Sequence, residues 1–403
     1  MSDRYTTSST ESWGSRLAGS IKGVLLGFLM FLISFIVLWW NEGRAVKTAT
    51  GLTEGSSKVI SVFEGDINPQ YEGELIHITG NIVSNDTLTD RDFNISSTGL
   101  KLKRQVEMYQ WIESTSEKKE KNLGGSETTT TTYDYSKTWK KTVINSNNFE
   151  IQDKYINPNQ MPYENVEMEV KSAEIGAFNF SEDFIGRMND YQSISLTPHQ
   201  KTKSKRNTPK NSNKIYNDYN EIIYTPNLYT DSIATSSYVF IGDGTPQNPK
   251  IGDVKITFSE VTEEKVSIIA QQNGRELIPF HTETGTTISL LESGDVPANI
   301  MFETAQSRNT TWTWILRFIG FLMMFIGITK CFSPLVVLAD VVPFIGRLLG
   351  AGISFFAGLA AFALSLTTIA IAWIAYRPVL AFSLLGIAVA SLIFIFVKNK
   401  KQA

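Results

Sequence analysis

Long apolar segments near both ends of the chain constrain its fold more than any other feature of the sequence. A helix that crosses a bilayer needs about 20 mostly apolar residues. The first such segment covers residues 21–40, and Lys22 is its only charged residue. Three more follow near the C-terminus, at residues 312–332, 350–376 and 379–397. We therefore predict an α+β membrane protein with four transmembrane helices, one N-terminal and three C-terminal.

A cleaved signal peptide is the alternative interpretation of the first apolar segment. Its apolar run is longer than a usual signal-peptide core, and no small-residue cleavage site follows it. The segment ends instead in Trp39 and Trp40, a pair typical of an anchor that is retained at the headgroup level. We favour the anchor.

The polar residues near the C-terminal segments predict their connections. Residues 333–349 open with Ser-Pro and contain Asp340, which favours a helix lying at the membrane interface. Asp340 is interpreted as a cap or a surface acid, and part of an ion or proton path is its alternative. Arg317 is expected to extend outward from the second span beside two tryptophans. Residues 376–378 predict a tight turn before the last span.

The distribution of basic residues predicts the orientation. Four crossings place both termini on one side, which carries Arg4, Arg16, Lys22, Lys330, Arg347, Lys398, Lys400 and Lys401, whereas the short outer turn carries only Arg377. The positive-inside rule then predicts a cytoplasmic tail at residues 1–20, a cytoplasmic segment at 333–349 and a basic cytoplasmic tail at 398–403. Residues 41–311 are expected to be extracytoplasmic or lumenal.

Strand patterns dominate residues 41–311. Alternation of apolar and polar residues predicts β-strands, and in residues 106–111 it places Val106 and Met108 on the buried face and Tyr109 and Trp111 on the other. Asn273-Gly274 predicts a hairpin with a type I′ turn. A short helix is expected at residues 181–188, and surface loops at 116–132 and 201–214.

Charge and side-chain chemistry exclude several functions. Ten of the 37 basic and three of the 40 acidic residues lie outside 41–311, so this segment carries a net charge of about −10, which argues against nucleic-acid binding. The three histidines are scattered, Cys331 is the single cysteine, and no catalytic or nucleotide-binding motif is present. We therefore predict no enzymatic activity, no metal site and no cofactor.

Small residues recur at four-residue spacing in two helices, a spacing that lets helix backbones approach closely in lipid. The positions are Gly19, Gly23 and Gly27 in the first helix and Gly346, Gly350, Ser354 and Gly358 leading into the third span. One interpretation is that these stripes pack the helices of one protomer together. The other is that a stripe joins neighbouring chains. For the third span the first is favoured, and for the first span both stay open.

Six short strings along the chain closely resemble the transmembrane protein 43 (LUMA) family. They are Asn41-Glu42-Gly43-Arg44-Ala45-Val46-Lys47-Thr48-Ala49, Glu74-Leu75-Ile76-His77-Ile78-Thr79-Gly80, Val106-Glu107-Met108-Tyr109-Gln110-Trp111, Ile144-Asn145-Ser146, Gly252-Asp253-Val254 and Tyr376-Arg377-Pro378. Their order and spacing agree with the family from about residue 12 to the last span. The opening Trp13-Gly14-Ser15-Arg16 favours its bacterial branch.

The resemblance implies four spans with a large domain between the first and second. In animals the family resides in the endoplasmic reticulum and inner nuclear membrane, where it is thought to self-associate and organise protein complexes of the envelope; a bacterial member is expected in the cell inner membrane. The motifs also have physical interpretations. Asn41 and Gly43 are expected to end the first helix, Arg44 to bind headgroup phosphates, and Arg377 to lie between the last two spans.

Together these observations predict a non-enzymatic scaffold. It would self-associate and present its β-rich domain to membrane lipids or to other membrane proteins. A transport or channel subunit with a pore formed on oligomerisation is the alternative, with Asp340, Arg317 or Arg377 along a polar route. A third option is a lipid-modifying enzyme at the membrane surface, which would need a histidine and acidic residues brought together by the fold.

Overall fold

The computed structural model describes residues 3–65, 67–195, 227–230, 237–379, 381–383 and 386. Within them, the α-helices are α1 (Trp13–Lys58), α2 (Glu182–Arg187), α3 (Ala298–Cys331), α4 (Ser333–Ala339) and α5 (Pro343–Tyr376). The strands are β1 (Asp3–Glu11), β2 (Ile60–Ser61), β3 (Leu75–Val83), β4 (Leu88–Asp90), β5 (Ile95–Ser97), β6 (Lys101–Lys121), β7 (Glu127–Lys140), β8 (Val166–Glu169), β9 (Ala173–Ile175), β10 (Phe178–Phe180), β11 (Gln192–Ser193), β12 (Asn227–Thr230), β13 (Ser237–Ile241), β14 (Val254–Val261), β15 (Lys265–Asn273), β16 (Glu276–Ile278), β17 (Phe280–His281), β18 (Thr287–Ile288) and β19 (Leu290–Ser293).

Three helices, α1, α3 and α5, are long and apolar enough to cross a membrane. This confirms the combination of membrane helices with a strand-rich part. The predicted fourth span at residues 379–397 lies almost entirely outside the described residues, as do the basic tail at 398–403 and the predicted loop at 201–214.

The long helices pack antiparallel in a bundle. Along α1, the positions Gly27, Leu38 and Asn41 meet α3 at Gly327, Gly320 and Thr313 respectively, so the numbering falls along α3 as it rises along α1. One end of the bundle, which we call the domain end, therefore contains Lys58, Ala298 and Tyr376. The opposite end, the far end, contains Trp13, Cys331 and Pro343.

The helices α1 and α5 begin and end differently from the predicted spans. α1 continues through Asn41 and Gly43 to Lys58, so the predicted helix end at these residues is wrong. Its last turns are stabilised by packing, since Leu52 joins a core cluster with Ile288 and Phe302, and such burial outweighs the low helix propensity of glycine. At the other boundary, Pro343 starts α5, so only α4 remains as a separate segment within the predicted interfacial stretch 333–349.

Two sheets form the strand-rich part. The first has the order β1-β7-β6-β14-β13-β12, with β8 beside β6 and β11 beside β14; the second has the order β19-β15-β16-β10-β9-β3-β2, with β15 also paired to β3. In the first sheet Val106 of β6 lies opposite Ile256 of β14. Val106 and Met108 are fully buried in a core cluster, which confirms the predicted buried face.

The predicted surface loop at 116–132 is wrong. These residues form the outer part of a long antiparallel hairpin, in which β6 runs for 21 residues and β7 for 14 residues around a turn at 122–126. The threonines at 128–132 fit this conformation, since β-branched side chains favour strands. β1 then pairs with β7 from Asp3↔Tyr135 to Glu11↔Glu127. We call the resulting three-stranded piece, residues 3–11, 112–121 and 127–135, the ribbon.

The tip of the ribbon lies at the far end of the helix bundle. The backbone N–H of Gly124 donates to the carbonyl of Val341 at 3.1 Å, and the indole of Trp13 lies against Gly125. The base of the same hairpin joins β14 and β8. The prediction had separated a tail at 1–20 from a domain at 41–311, but the structure joins the two through β1 and β7.

Two local predictions have different outcomes. The short helix is confirmed as α2, which follows Ser181 and has Glu182 and Asp183 in its first turn. The β15–β16 hairpin is also confirmed, but its two-residue turn is Gly274-Arg275, because Asn273 pairs with Glu276. A type I′ turn needs positive φ at both central residues. Of these two residues only Gly274 has a positive φ, at 59°, so the predicted type I′ turn is wrong.

Candidate functional site

A cluster of buried polar side chains lies where α1, α3 and α5 meet near the domain end. Glu42 is fully buried, and its carboxylate accepts hydrogen bonds from Arg317 Nε at 2.7 Å and Arg317 Nη2 at 2.9 Å. The indole N–H of Trp373 donates to the same carboxylate at 2.8 Å. The guanidinium of Arg317 also lies over the rings of Trp314 and Trp373. One carboxylate thus ties three helices together.

A second set of hydrogen bonds continues from this ion pair toward the domain. Arg44 donates to Asn309 Oδ1 and to Thr313 Oγ1, each at 3.0 Å. Asn41 donates to the carbonyl of Thr313, and Asn309 donates to the carbonyl of Ala45, again at 3.0 Å each. We call these seven residues, Asn41, Glu42, Arg44, Asn309, Thr313, Arg317 and Trp373, the domain-end cluster.

The first and last family strings meet in a close approach of α1 to α5. A Cβ atom added to Gly43 would lie 2.8 Å from Cζ of Tyr376, closer than carbon atoms pack. The ring of Tyr376 also contacts Trp39, with centroids 5.7 Å apart. Glycine at position 43 is therefore required by the packing of α5. Arg377 is the C-terminal cap of α5, and its backbone N–H donates to the carbonyl of Trp373. The fourth span, beside which Arg377 was predicted to lie, falls almost entirely outside the described residues.

A second charged cluster, the far-end cluster, fastens the ribbon to the helices. The carboxylate of Asp340 is almost completely buried and pairs with Arg16 at 2.6 Å and with Lys121 at 2.7 Å. Arg16 also lies 3.4 Å from Glu127 and donates to the carbonyl of Gly125. A single side chain of the α4–α5 connection thus binds both the start of α1 and the end of β6.

The far-end cluster also explains why position 346, one of the predicted small-residue positions, is a glycine. A Cβ atom on Gly346 would overlap the carboxylate of Asp340, so the buried acid needs glycine beside it. The interpretation of Asp340 as a surface acid is therefore wrong. The indole N–H of Trp13 completes the contact by donating to the carbonyl of Val337 at 2.9 Å.

Some residues of the predicted small-residue stripes pack against neighbouring helices, and others lie on the surface of the described structure. Gly27 packs on α3, where an added Cβ would lie 2.6 Å from Cβ of Lys330. At Gly19 and Gly23, no other side chain or neighbouring element in the described part of the chain comes within 4 Å of such a Cβ. On α5, Gly350 and Gly358 make ordinary contacts and Ser354 is exposed. The buried face of α5 is instead formed by Ala357, Ala361, Ser365, Thr368 and Ala372.

The string at 106–111 lies in β6, and its second face is largely covered by the protein itself. Glu107 pairs with Lys255 at 3.3 Å. The ring of Tyr109 lies tilted against Trp139 with centroids 5.2 Å apart, and the centroids of the Trp111 and Tyr155 rings are 4.9 Å apart. Gln110 is fully buried and donates to the carbonyl of Thr142. The structure therefore gives this string a place in the domain core.

Neither described histidine shares a hydrogen bond with an acidic side chain, although the charge of Asp295 acts on His77. His77 lies between Ser61 and the carbonyl of Val296, and burial holds the pKa of its imidazole below the ordinary value. The ring of His281 contacts Thr287. No group of three His, Cys, Asp or Glu side chains suited to a metal ion occurs among the described residues. His199 lies outside them.

Sequence reasoning missed the ion pairs of both clusters. It placed Arg44 and Arg317 at the lipid headgroups, whereas both point inward to partners on the neighbouring helix. A usable signal was present. Glu42 directly follows the first apolar segment, and Arg317 lies one turn inside the second, so antiparallel helices place these opposite charges at the same depth.

Comparison with known proteins identifies the family of this chain. The family model described as "Transmembrane protein 43" matches residues 108–378. Transmembrane protein 43 of Homo sapiens is 32% identical over 401 residues, which cover 97% of this chain and 93% of the human protein. The Drosophila melanogaster homologue is 29% identical over 371 residues, 90% of each chain. No solved structure matches. The chain therefore belongs to the transmembrane protein 43 family.

Proposed function

We propose that this chain is a non-enzymatic membrane scaffold that self-associates through the far half of α1 and organises membrane proteins or lipids around its strand-rich domain. The observation that carries the proposal is the contrast along one glycine stripe. Gly27 packs against α3 inside the protomer, whereas Gly19 and Gly23 form a small-residue surface that no other described residue covers. Such surfaces let a second helix approach closely in lipid, where no hydrophobic effect drives association.

Rigid attachment of the domain supports the same role. α1 and α3 continue from the apolar segments into the domain core through Leu52, Met301 and Phe302. The domain-end cluster fixes the same helices by ion pairs and hydrogen bonds. A scaffold needs a fixed relation between its membrane part and its binding surface, and this arrangement supplies one.

Its placement in the cell follows as part of the proposal. The strand-rich domain outside the ribbon lies on the extracytoplasmic or lumenal side, in a bacterial inner membrane or, in a eukaryotic cell, in the endoplasmic reticulum and inner nuclear membrane. Partners are other membrane proteins, lipids and further copies of the chain.

The test is Gly23→Leu, examined by native mass spectrometry of protein extracted in membrane patches without detergent. A Cβ at position 23 meets no atom of the described residues, so we expect an unchanged fold and a smaller assembly. Gly352→Leu is the matched control, because that glycine is equally free of contacts but lies on α5 outside the stripe. An unchanged assembly in Gly23→Leu argues against an α1 interface, and a monomeric wild type rejects self-association altogether.

A channel or transport subunit is the second candidate. The structure gives it no support through Asp340 or Arg317, since both are engaged in ion pairs. Its support is the ribbon, a polar element that extends along the apolar helices. Proteoliposomes that hold a potassium gradient equally well with and without the protein would exclude this candidate. For a lipid-modifying enzyme, the described histidines offer no support.

A further inference from the structure

The ribbon lies at the same depth as the apolar part of the helices. From Trp13 to Trp40, α1 rises about 40 Å at 1.5 Å per residue. The ribbon tip is fastened beside Trp13, and a strand covers about 40 Å in roughly twelve residues. The hairpin residues between Trp111 and the tip therefore pass alongside the segment of α1 that is built to lie among lipid chains.

The ribbon is polar on both of its faces. One face, which includes Glu127 and Lys121, points toward the helices, because these side chains meet Arg16 and Asp340. The opposite face follows from the two-residue period of strands and is rich in hydroxyl groups: Thr6, Ser8, Thr10, Ser114, Ser116, Thr128, Thr130 and Thr132. Neither face suits contact with acyl chains.

Both long edges of the ribbon are open in the part of the chain that the structure describes. β1 pairs only with β7, and beyond Ile112 β6 pairs only with β7. Unpaired backbone N–H and C=O groups cost several kcal/mol each in hydrocarbon, so lipid-exposed sheet edges do not occur. Something other than lipid must cover these edges when the helices are in a bilayer.

A second copy of this chain fits both edges at once. β1 and β6 run in the same direction, because each is antiparallel to β7. Rotation about an axis along the strands therefore brings the β1 edge of one copy beside the β6 edge of the next, the head-to-tail geometry that closes into a ring. The register places Glu11 level with Lys121, so opposite charges adjoin at this junction.

We propose that copies of this chain associate by pairing β1 of one protomer with the outer half of β6 of the next, with the ribbons facing a shared axis and the apolar helices facing lipid. This inference rests on the proposed self-association and assigns to it a second interface, separate from the glycines of α1. The ring satisfies the backbone groups of both edges. It surrounds an interior lined by hydroxyl groups and by the charged side chains of Arg4, Lys118, Glu120 and Asp134.

Disulfide trapping in native membranes tests the pairing. Cys331→Ser removes the single cysteine, and Thr7→Cys is then combined in turn with Thr115→Cys, Glu117→Cys or Lys119→Cys. Within one protomer Thr7 and Glu117 are separated by β7, so their Cα atoms are about 10 Å apart, beyond the roughly 7 Å limit for a disulfide. A bond between them forms only across copies. We expect a ladder of covalent multiples of the chain on a non-reducing gel.

Thr7→Cys with Thr131→Cys is the matched control, since these residues are direct partners within one protomer and should give only monomers. The proposal is overturned if all three test pairs stay monomeric while native mass spectrometry shows an oligomer; self-association through α1 then stands alone. A product that is not a multiple of the chain also overturns it, because a foreign strand then covers the edge. A monomer in native mass spectrometry removes both proposals.

Discussion

Glu42 and Arg317 form a two-point ion pair between α1 and α3, with the carboxylate fully buried and Arg317 only 14% exposed. Both residues lie at the boundary of apolar segments, and Trp373 of α5 joins them. Breaking a buried pair leaves one charge without compensation, so loss of either partner should weaken the packing of the three helices.

We predict that Glu42→Gln destabilises the bundle by about 3–5 kcal/mol, the cost typical of removing one partner of a buried pair. Replacement of both partners, Glu42→Leu with Arg317→Leu, should recover much of this loss, because no charge is then left unpaired. Thermal unfolding in nanodiscs measures both. Glu120→Gln, in an exposed pair with Lys118, is the control and should change nothing measurable. Equal effects of Glu42→Gln and Glu120→Gln would contradict the structure.

Gly43→Ala should destabilise the protein by about 1–3 kcal/mol, since the added methyl group must displace the ring of Tyr376. Gly14→Ala, in the same helix but with no atom near the new Cβ, should instead be neutral or stabilise by about 0.5–1 kcal/mol through helix propensity. The same unfolding measurement compares the two. If the ring causes the effect, Tyr376→Ala should make Gly43→Ala tolerable.

Asp340→Asn should release the ribbon tip without unfolding the domain. The variant loses two charge-assisted contacts, to Arg16 and Lys121, each worth about 1.5–3 kcal/mol. We expect amide hydrogen exchange at residues 119–128 to accelerate at least about tenfold, while exchange in β14 and β15 stays unchanged. Asp183→Asn removes a partly exposed ion pair of α2 and serves as the control. Unchanged exchange at the tip would show that Asp340 does not hold it.

Burial lowers the pKa of His77 below its ordinary value of about 6.5. The carbonyl of Val296 partly opposes this shift by accepting a hydrogen bond from Nε2, which also assigns the proton of the neutral ring to Nε2. The unfolded chain therefore binds a proton more readily than the folded one. Stability should fall as pH decreases below about 6.5, until the folded imidazole is protonated too.

Thermal unfolding at pH 8, 6.5 and 5 checks this dependence. His77→Gln, whose amide can still donate to Val296, should lose part of the slope that the wild type shows. His281→Gln at the exposed histidine is the matched control. If the stability of the wild type and of the His77→Gln variant depended equally on pH, His77 would be ruled out as the source of the pH dependence.

The spacing of apolar, capping and turn residues along the chain predicted the elements that depend on local sequence pattern. The buried face of β6 at Val106 and Met108, the α2 helix and the β15–β16 hairpin all follow from alternation, capping residues and a glycine turn. The polar composition of residues 116–132 led to the wrong prediction of a surface loop. A threonine-rich and charged stretch is equally compatible with exposed β-strands.

The candidate site was harder to predict because its contacts join distant residues. Arg16 and Asp340 are separated by 324 positions, and Lys121 enters from a hairpin whose length the sequence did not reveal. The family strings drew attention to Glu42 and Arg44, but a single residue near an apolar segment does not indicate whether it faces lipid or a partner helix. Pairing charges of equal depth across antiparallel helices would have supplied that answer.

Because α1 is continuous, it connects the far end of the bundle rigidly to the strand-rich domain. A helix of 46 residues that starts beside the far-end cluster and ends against Leu52 and Gly55 in the domain core has no hinge along its length. The domain therefore keeps a constant angle to the transmembrane bundle, so a tilt of the bundle in the bilayer moves the domain surface through a proportionate arc. A change in bilayer thickness that tilts the bundle would therefore displace the domain surface.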